Sequence, residues 1–165
     1  MNLETPRLRL EACSLELAEA LLADRNRAEA ILRAALPQAW PDDELAGLLP
    51  IYAAQLRDDP STLGFGVWIA IEREREVVVG SAGFVGPPKE GALELGYGIH
   101  PDHRNAGYAT EAASALVRWA LEQDAVEEVW AECERTNAPS VRVLEKLELQ
   151  QTGENGTRLV YAARR

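Results

Sequence analysis

Polar and apolar positions alternate through Arg7-Leu8-Arg9-Leu10-Glu11-Ala12, the two-residue period of a half-buried strand, and Ser14 follows where a helix N-cap belongs. Leu17, Ala18, Leu21 and Leu22, then Ala28, Ile31, Leu32, Ala35 and Leu36, recur at helical spacing around a polar stretch from Asp24 to Arg27. Pro37 and Pro41 end that helical region. Leu45, Leu48, Leu49, Tyr52, Ala53 and Leu56 restore an apolar helical face, which Pro50 is expected to kink or divide. From Phe65 the period changes. Val67, Ile69 and Ile71 alternate with Trp68 and Ala70, and Val77 to Val85 is a second β-rich run. After the turn cluster Gly86-Pro87-Pro88-Lys89-Glu90-Gly91, Ala92 to Ile99 completes a three-strand meander that Pro101 stops.

The second half alternates element types. Ala109, Ala112, Ala113, Leu116, Val117 and Ala120 form a helix with one small-residue face, suited to close packing on a sheet. Val126 to Cys133 reads as a strand, and Pro139 fits the first turn of a helix whose Val141, Leu144 and Leu147 point inward. Asn155-Gly156 stands between two β-rich runs as the two central residues of a type I′ hairpin. No repeat, low-complexity tract or linker interrupts this order, which predicts one mixed α/β domain over residues 1–165.

Composition narrows the partners. At 165 residues and 47% hydrophobic content the chain can bury a sizeable core. A net charge of −10 argues against nucleic acid or an anionic membrane as partner, so any phosphate-bearing ligand must be held locally. The start lacks a basic region followed by an apolar one, and no run approaches the roughly 18 apolar residues of a membrane span. A cytoplasmic location is expected. Cys13 and Cys133 are isolated, without CxxC or Cys/His spacing, so neither a disulfide framework nor a metal site is signalled.

The chemistry concentrates between Glu94 and Ala109, where a strand runs into a loop whose small residues lie just before a helix. Unpaired N–H groups at a helix start, with its partial positive charge, can hold a pyrophosphate even in an acidic protein. Gly107, with the small Ala106 and Ala109, permits close backbone approach. No GKS or GKT triplet occurs, and Pro101 stands where the third glycine of a dinucleotide fingerprint belongs. The same spacing also suits a plain strand–loop–helix connection.

Three segments resemble one family. Arg104, Gly107 and Ala109 occupy the core positions of the cofactor motif of the GNAT N-acetyltransferases: Gln or Arg, two variable residues, Gly, one variable residue, then Gly or Ala. Asn137-Ala138-Pro139-Ser140 through Leu144-Glu145-Lys146-Leu147 is similar to a segment of the RimJ/RimL-type branch, which acetylates ribosomal-protein N-termini. Glu4-Thr5-Pro6-Arg7-Leu8-Arg9-Leu10 is similar to that branch's first strand. One departure is visible: Glu148-Leu149 stands where the branch usually has Gly-Phe.

The resemblance implies a GNAT fold, a twisted, mostly antiparallel sheet flanked by helices, and acetyl-CoA as co-substrate with no metal. It implies acetyl transfer to a primary amine, either a protein N-terminus or a small amine, directly through a tetrahedral intermediate. Cofactor contacts are then expected from Gly98, Ile99, Arg104, Asn105, Ala106, Gly107, Tyr108, Ala109, Asn137 and Ser140. The strand ending near Ile99 is expected to splay from its neighbour and free backbone groups around Gly98 and Ile99, with Gly96 and Gly98 easing the distortion. Glu94 is the leading candidate base, and Ser140 is placed near the sulfur, where its hydroxyl could donate to the thiolate. Asn137 and Ser140 also suit helix capping, and Glu94 also suits an ordinary strand carboxylate.

Other residues carry weaker signals. Tyr161 is a secondary acid candidate and equally a core residue, while His100 and His103 read as loop-shaping. Cys133 lacks a histidine partner nearby in sequence and is not assigned catalysis. Residues 36–66 fall where the family binds its acceptor; Trp40 and Trp68 could line a pocket there or lie in the core. The acidic stretch Glu122 to Glu134 could attract a cationic acceptor or be a solvated edge. A homodimer is common in the resembling branch. The alternative to an enzyme is a non-catalytic acyl-CoA-binding sensor that kept the loop.

Overall fold

The computed structural model describes residues 1–147 and 149–165. Strand β1 (Asn2–Glu4) leads into β2 (Leu8–Ala12), followed by α1 (Leu15–Ala23), α2 (Arg25–Leu32) and α3 (Asp43–Asp58). The meander is β3 (Val67–Glu72), β4 (Val77–Phe84) and β5 (Ala92–Ile99). Then come α4 (Tyr108–Leu121), β6 (Glu128–Glu134), α5 (Ala138–Lys146) and the closing hairpin β7 (Gln150–Asn155) and β8 (Arg158–Arg164).

The helix starts are specified locally. Ser14 Oγ accepts the Leu17 N–H at 3.2 Å to open α1. Asp24 both ends α1, its N–H donating to the Ala20 carbonyl at 2.8 Å, and opens α2 through Oδ1, which accepts the Arg27 N–H. That double role is why the polar Asp24 to Arg27 stretch divides two helices. Asp42 Oδ1 caps α3 in the same way, accepting the Leu45 N–H at 2.9 Å.

The strands form one sheet in the order β1-β2-β3-β4-β5-β6-β8-β7. Every neighbouring pair is antiparallel except β5 and β6. On one face α4 and α5 pack through Ala112, Ala113, Leu116, Ala120 and Leu144 against Leu93, Leu95, Val129, Ala131 and Leu159. On the other, α1 to α3 cover Val67, Ile69, Ile71 and Val78 through Leu17, Leu32, Leu49 and Leu56. Strand β3 is therefore buried on both sides, including its polar end residue Glu72.

Four expectations change. Asn2–Glu4 is a strand, paired Asn2↔Glu11 to Glu4↔Arg9, because the Thr5 N–H closes a turn on the Leu8 carbonyl at 2.9 Å. The helical pattern at Ala35 and Leu36 is not used: Arg33 turns left-handed (φ 49°) and Ala35 instead bridges Val77 of β4. Pro50 does not divide α3, which runs unbroken. Leu45 and Leu49 before it and Tyr52, Ala53 and Leu56 after it share one buried face, while Pro50 faces out, so the lost backbone bond is outweighed by burial on both sides. The hairpin turn sits one residue later than expected: Asn155 pairs with Arg158, leaving Gly156 and Thr157 as the loop. Only Gly156 has positive φ (60°), which fits a turn with glycine first rather than a type I′ turn. The Glu148-Leu149 departure falls at Glu148, outside the described residues; Leu149 is buried.

Candidate active site

The site begins where β5 changes partners. Ala92, Leu93 and Glu94 pair in parallel with Glu128, Val129 and Trp130 of β6, whereas Leu95 to Ile99 pair only with β4. Strand β6 continues from Ala131 to Glu134 paired only with β8. The two strands thus part just beyond Glu94. Along β5 the side of the backbone that faces β4 alternates: the His100 N–H donates to Val79, so the Ile99 carbonyl on the same peptide points into the opening. By that alternation the groups of Tyr97 and Ile99 face the gap. The Gly98 carbonyl instead faces β4, lying 2.2 Å from where a Cβ on Gly80 would stand. Ile99 is already engaged on the gap side, its carbonyl accepting Arg104 Nε at 3.0 Å.

The loop that follows is open to solvent from Arg104 to Gly107. Asn105 (φ 60°) and Gly107 (φ 82°) are both left-handed and bracket Ala106, a bend that turns successive N–H groups to one concave side. Gly107 stands at the N-cap of α4 with no side-chain capping bond. The first backbone donor of the helix is Glu111, bonding Gly107 at 3.1 Å. Among the described residues, none of the N–H groups from Asn105 to Thr110 has a protein acceptor. Such a run of orphan donors on the positive end of a helix is suited to an anion.

On the α4/α5 face, Tyr97 meets Ser140. Their hydroxyls lie 2.9 Å apart, and the Tyr97 hydroxyl is also 3.3 Å from the Ser140 carbonyl. Burial pushes the Tyr97 phenol above its ordinary value, and the Ser140 hydrogen bond partly offsets this. Asn137 caps α5, its Oδ1 accepting the Ser140 N–H at 3.3 Å, which leaves its amide NH2 uncommitted among the described residues.

The opposite face of β5 carries Glu94, Gly96 and Gly98. A Cβ at Gly96 or Gly98 would meet no atom within 4 Å. These glycines, with Ser81 and Gly83 of β4 and Val85 just past its end, floor a cavity of about 180 Å³ roofed by Asp42, Glu44, Leu45 and Leu48 at the start of α3. Glu94 lies one pleat further along. Its carboxyl makes no hydrogen bond or ion pair among the described residues, and burial, then repulsion from Glu132, raises it above the ordinary carboxylate value, with Arg158 and Lys89 opposing.

The remaining candidates fall elsewhere. Tyr161 is buried in the core beneath α5. Trp68 and Trp40 are also core residues, Trp68 donating its indole N–H to Gly64 at 2.8 Å. His100 is held by the Asp102 N–H and contacts Gln38, and the His103 ring is 5.9 Å from it, so both shape the turn before the loop. Burial drives the Cys13 thiol up to about 12, and Cys133 is buried. Half of the carboxylates of the acidic stretch are held in ion pairs: Glu132 and Glu134 pair with Arg158, and Glu128 with Arg164. No group of three or more His, Cys, Asp or Glu is arranged to hold a metal among the described residues, and no helix among them is long and apolar enough to cross a membrane.

A sheet that parts beside an orphan-donor helix start, with half-buried hydroxyls on one face and a lone carboxylate on the other, can seat an extended anionic ligand between two strands. Residues 7–150 match the acetyltransferase (GNAT) domain, and the chain belongs to that family. It is 35% identical over 146 residues to the uncharacterized N-acetyltransferase YjdG of Bacillus subtilis (strain 168), covering 88% of this chain and 87% of that one. The fold is shared with the ribosomal-protein-S5-alanine acetyltransferase of Vibrio fischeri (TM-score 0.68, 14% identity, 99% of this chain and 96% of that one). It is shared too with RimL, a ribosomal L7/L12 alpha-N-protein acetyltransferase solved with coenzyme A (TM-score 0.69, 16% identity, 99% and 98%). The chain is an N-acetyltransferase.

Sequence reasoning passed over Tyr97, whose phenol joins Ser140 and whose backbone faces the opening. The signal was present: Leu93 and Leu95 alternate onto the α4 face, and the same period puts Tyr97 there. It also passed over Arg7, whose contacts reach across the sequence to residues 106 and 111.

Proposed function

We propose that this chain moves an acetyl group from acetyl-CoA to a primary amine, by direct attack of the amine on the thioester carbonyl. The observation that carries this is the junction of the parted β5/β6 pair with the unpaired donors from Asn105 to Thr110. The residues fit the co-substrate: orphan donors suit a pyrophosphate, and the gap-facing groups of Tyr97 and Ile99 suit the amides of an extended arm. Arg104, Asn105, Ala106, Gly107, Tyr108 and Ala109 would hold the pyrophosphate, with Tyr97, Ile99, Asn137 and Ser140 along the arm; Gly98, whose carbonyl faces β4, would line the arm without that group bonding it. Acetyl-CoA supplies the activated acetyl thioester.

The protein's own groups then handle protons. Glu94, unpaired and with raised proton affinity, takes the proton of the incoming ammonium directly or through a water. The Ser140 hydroxyl, held by Tyr97, donates its proton to the departing sulfur and is reprotonated by the second proton that the attacking nitrogen loses as the amide forms. The amine enters through the cavity under α3. Its walls are Leu45, Leu48, Val67, Phe84 and Val85, with the carboxylates of Asp42 and Glu44 at one end, a lining that suits a cationic group on a small or terminal apolar residue.

The test is release of free thiol from acetyl-CoA with a panel of peptides bearing free N-termini, polyamines and amino sugars. Turnover on at least one class is expected, with saturation in both substrates. Tight coenzyme A binding with no turnover on any acceptor would instead support the non-catalytic sensor. Sedimentation of the protein with and without coenzyme A tests the homodimer.

A further inference from the structure

Arg7 lies in the turn between β1 and β2, about a hundred residues away in sequence from the loop it touches. Its Nη1 donates to the Ala106 carbonyl at 2.8 Å, while Nε and Nη2 both reach Glu111 Oε2 at 2.7 Å. The guanidinium also sits 4.7 Å above the Tyr108 ring. Glu111 is fixed in turn: its Oε1 accepts the Arg7 N–H at 2.8 Å and the hydroxyl of buried Thr5 at 2.6 Å. Burial pushes the Glu111 carboxyl up, but the Thr5 hydroxyl, the Arg7 N–H and the Arg7 guanidinium outweigh it and hold it below the ordinary value.

Planarity of the peptide bond turns this clamp into a statement about donors. In the trans peptide joining Ala106 to Gly107, the carbonyl and the N–H point in opposite directions. With the Ala106 carbonyl drawn onto Arg7, the Gly107 N–H is aimed away from it, toward the open side of the loop. Gly107 is left-handed and its N–H has no protein acceptor, while its carbonyl, in the next peptide, accepts the Glu111 N–H, so among the described residues the Arg7 bond is the hydrogen bond that sets the Ala106–Gly107 peptide's rotation. The clamp has a second effect. Glu111 lies in the first turn of α4, where its carboxylate would compete with a bound anion for the positive helix end. Arg7 neutralises it in place.

We propose that Arg7, anchored by Glu111 and Thr5, is a positioning residue that orients the Ala106–Gly107 peptide for the pyrophosphate of the acyl donor. This rests on the reading of Arg104 to Ala109 as the coenzyme A loop. Lysine cannot replace it: the role uses three N–H groups of one planar fork against two acceptors and a ring, and an ammonium offers a single point of charge.

The experiment compares two donors, acetyl-CoA and S-acetylpantetheine, which lacks the pyrophosphate, in wild type, Arg7→Lys and Arg7→Ala. Both variants are expected to raise the KM for acetyl-CoA about tenfold, the weight of a charge-assisted bond, while kcat at saturation and the S-acetylpantetheine constants stay within about twofold. Equal losses with both donors, or no loss with either, would overturn the assignment. Arg7 is half exposed, and Arg7→Lys keeps its charge and aliphatic stem, so Arg7→Lys decides the matter if Arg7→Ala does not fold. Calorimetry of coenzyme A against pantetheine separates the two layers of the inference. A wild type that binds both equally sinks the loop reading and the proposal with it; a wild type that prefers coenzyme A, with variants preserving the same ratio, sinks the role of Arg7 alone.

Discussion

The hydroxyls of Tyr97 and Ser140 lie 2.9 Å apart, joining the end of β5 that has left β6 to the first turn of α5. The pair couples the strand that offers backbone groups to the gap with the hydroxyl proposed to protonate the leaving sulfur. Removing either member is expected to affect the same step. Ser140→Ala should lower kcat by about tenfold to a hundredfold, and Tyr97→Phe by less, with the KM for acetyl-CoA little changed. The double variant should be no worse than Ser140→Ala alone, and steady-state thiol release measures all three. Additive losses would show that the two hydroxyls act separately.

Glu94, the proposed base, is expected to set the acid limb of the pH profile. Its proton is held more tightly than the ordinary 4.5 because of burial and then Glu132, so activity that needs the carboxylate should rise with pH through a raised value. Glu132→Gln removes the repulsion while Arg158 stays paired with Glu134, and should move that limb of kcat/KM to lower pH. A limb that stays put would dissociate it from Glu94.

The same shift has a stability consequence of definite sign. The folded protein binds this proton more tightly than the unfolded chain, so Glu94 costs stability as pH rises from 4.5 through the folded value, and the cost persists above it. Glu94→Gln should therefore be at least as stable as wild type near neutral pH while losing turnover. Urea denaturation at pH 7 together with thiol release checks both halves.

Gly96 keeps the cavity open. A Cβ there meets nothing within 4 Å and its backbone is not left-handed, so Gly96→Val should fold and project its methyls into the space under Leu45 and Leu48. The acceptor KM is expected to rise about tenfold, the weight of one or two lost apolar contacts, with coenzyme A affinity unchanged. Isothermal titration with coenzyme A and acceptor-dependent kinetics give the two numbers.

Pro50 interrupts the hydrogen bonding of an otherwise continuous α3 from an exposed position. Pro50→Ala restores the bond to the Ala46 carbonyl and should raise stability by about 1–2 kcal/mol, less than the full helix penalty because proline also stiffens the unfolded chain. A lower urea midpoint would mean that the helix is shaped around the proline.

What could be read from the sequence follows from range. Ser14, Asp24 and Asp42 act on residues three positions away, so the helix starts are local facts. The strand Ala92 to Ile99 is bounded by its own glycine and proline punctuation. The orphan donors of α4 follow from Gly107 preceding a helix. Pairings across the chain were not legible. Nothing near Arg7 in sequence announces Ala106 or Glu111, and β1 exists only because β2 offers it an edge. Ala35 has a helical period yet is captured by Val77. The division of labour on β5 needed the register, since only the pairing with β4 and β6 shows that Tyr97 rather than Gly98 turns its backbone to the opening.

That opening makes β5 and β6 into edges placed inside a sheet. Edge strands normally lie at a protein's margin, where any stray chain can add to them and begin aggregation. Here the unsatisfied backbone of Tyr97 is fenced by β4 on one side and by β6, held to β8, on the other. A folded partner's strand would have to enter between two members of one sheet, whereas a single thin extended molecule can slide in from the loop end. The enzyme can leave main-chain hydrogen-bonding capacity open at its centre because the wedge itself decides what is narrow enough to use it.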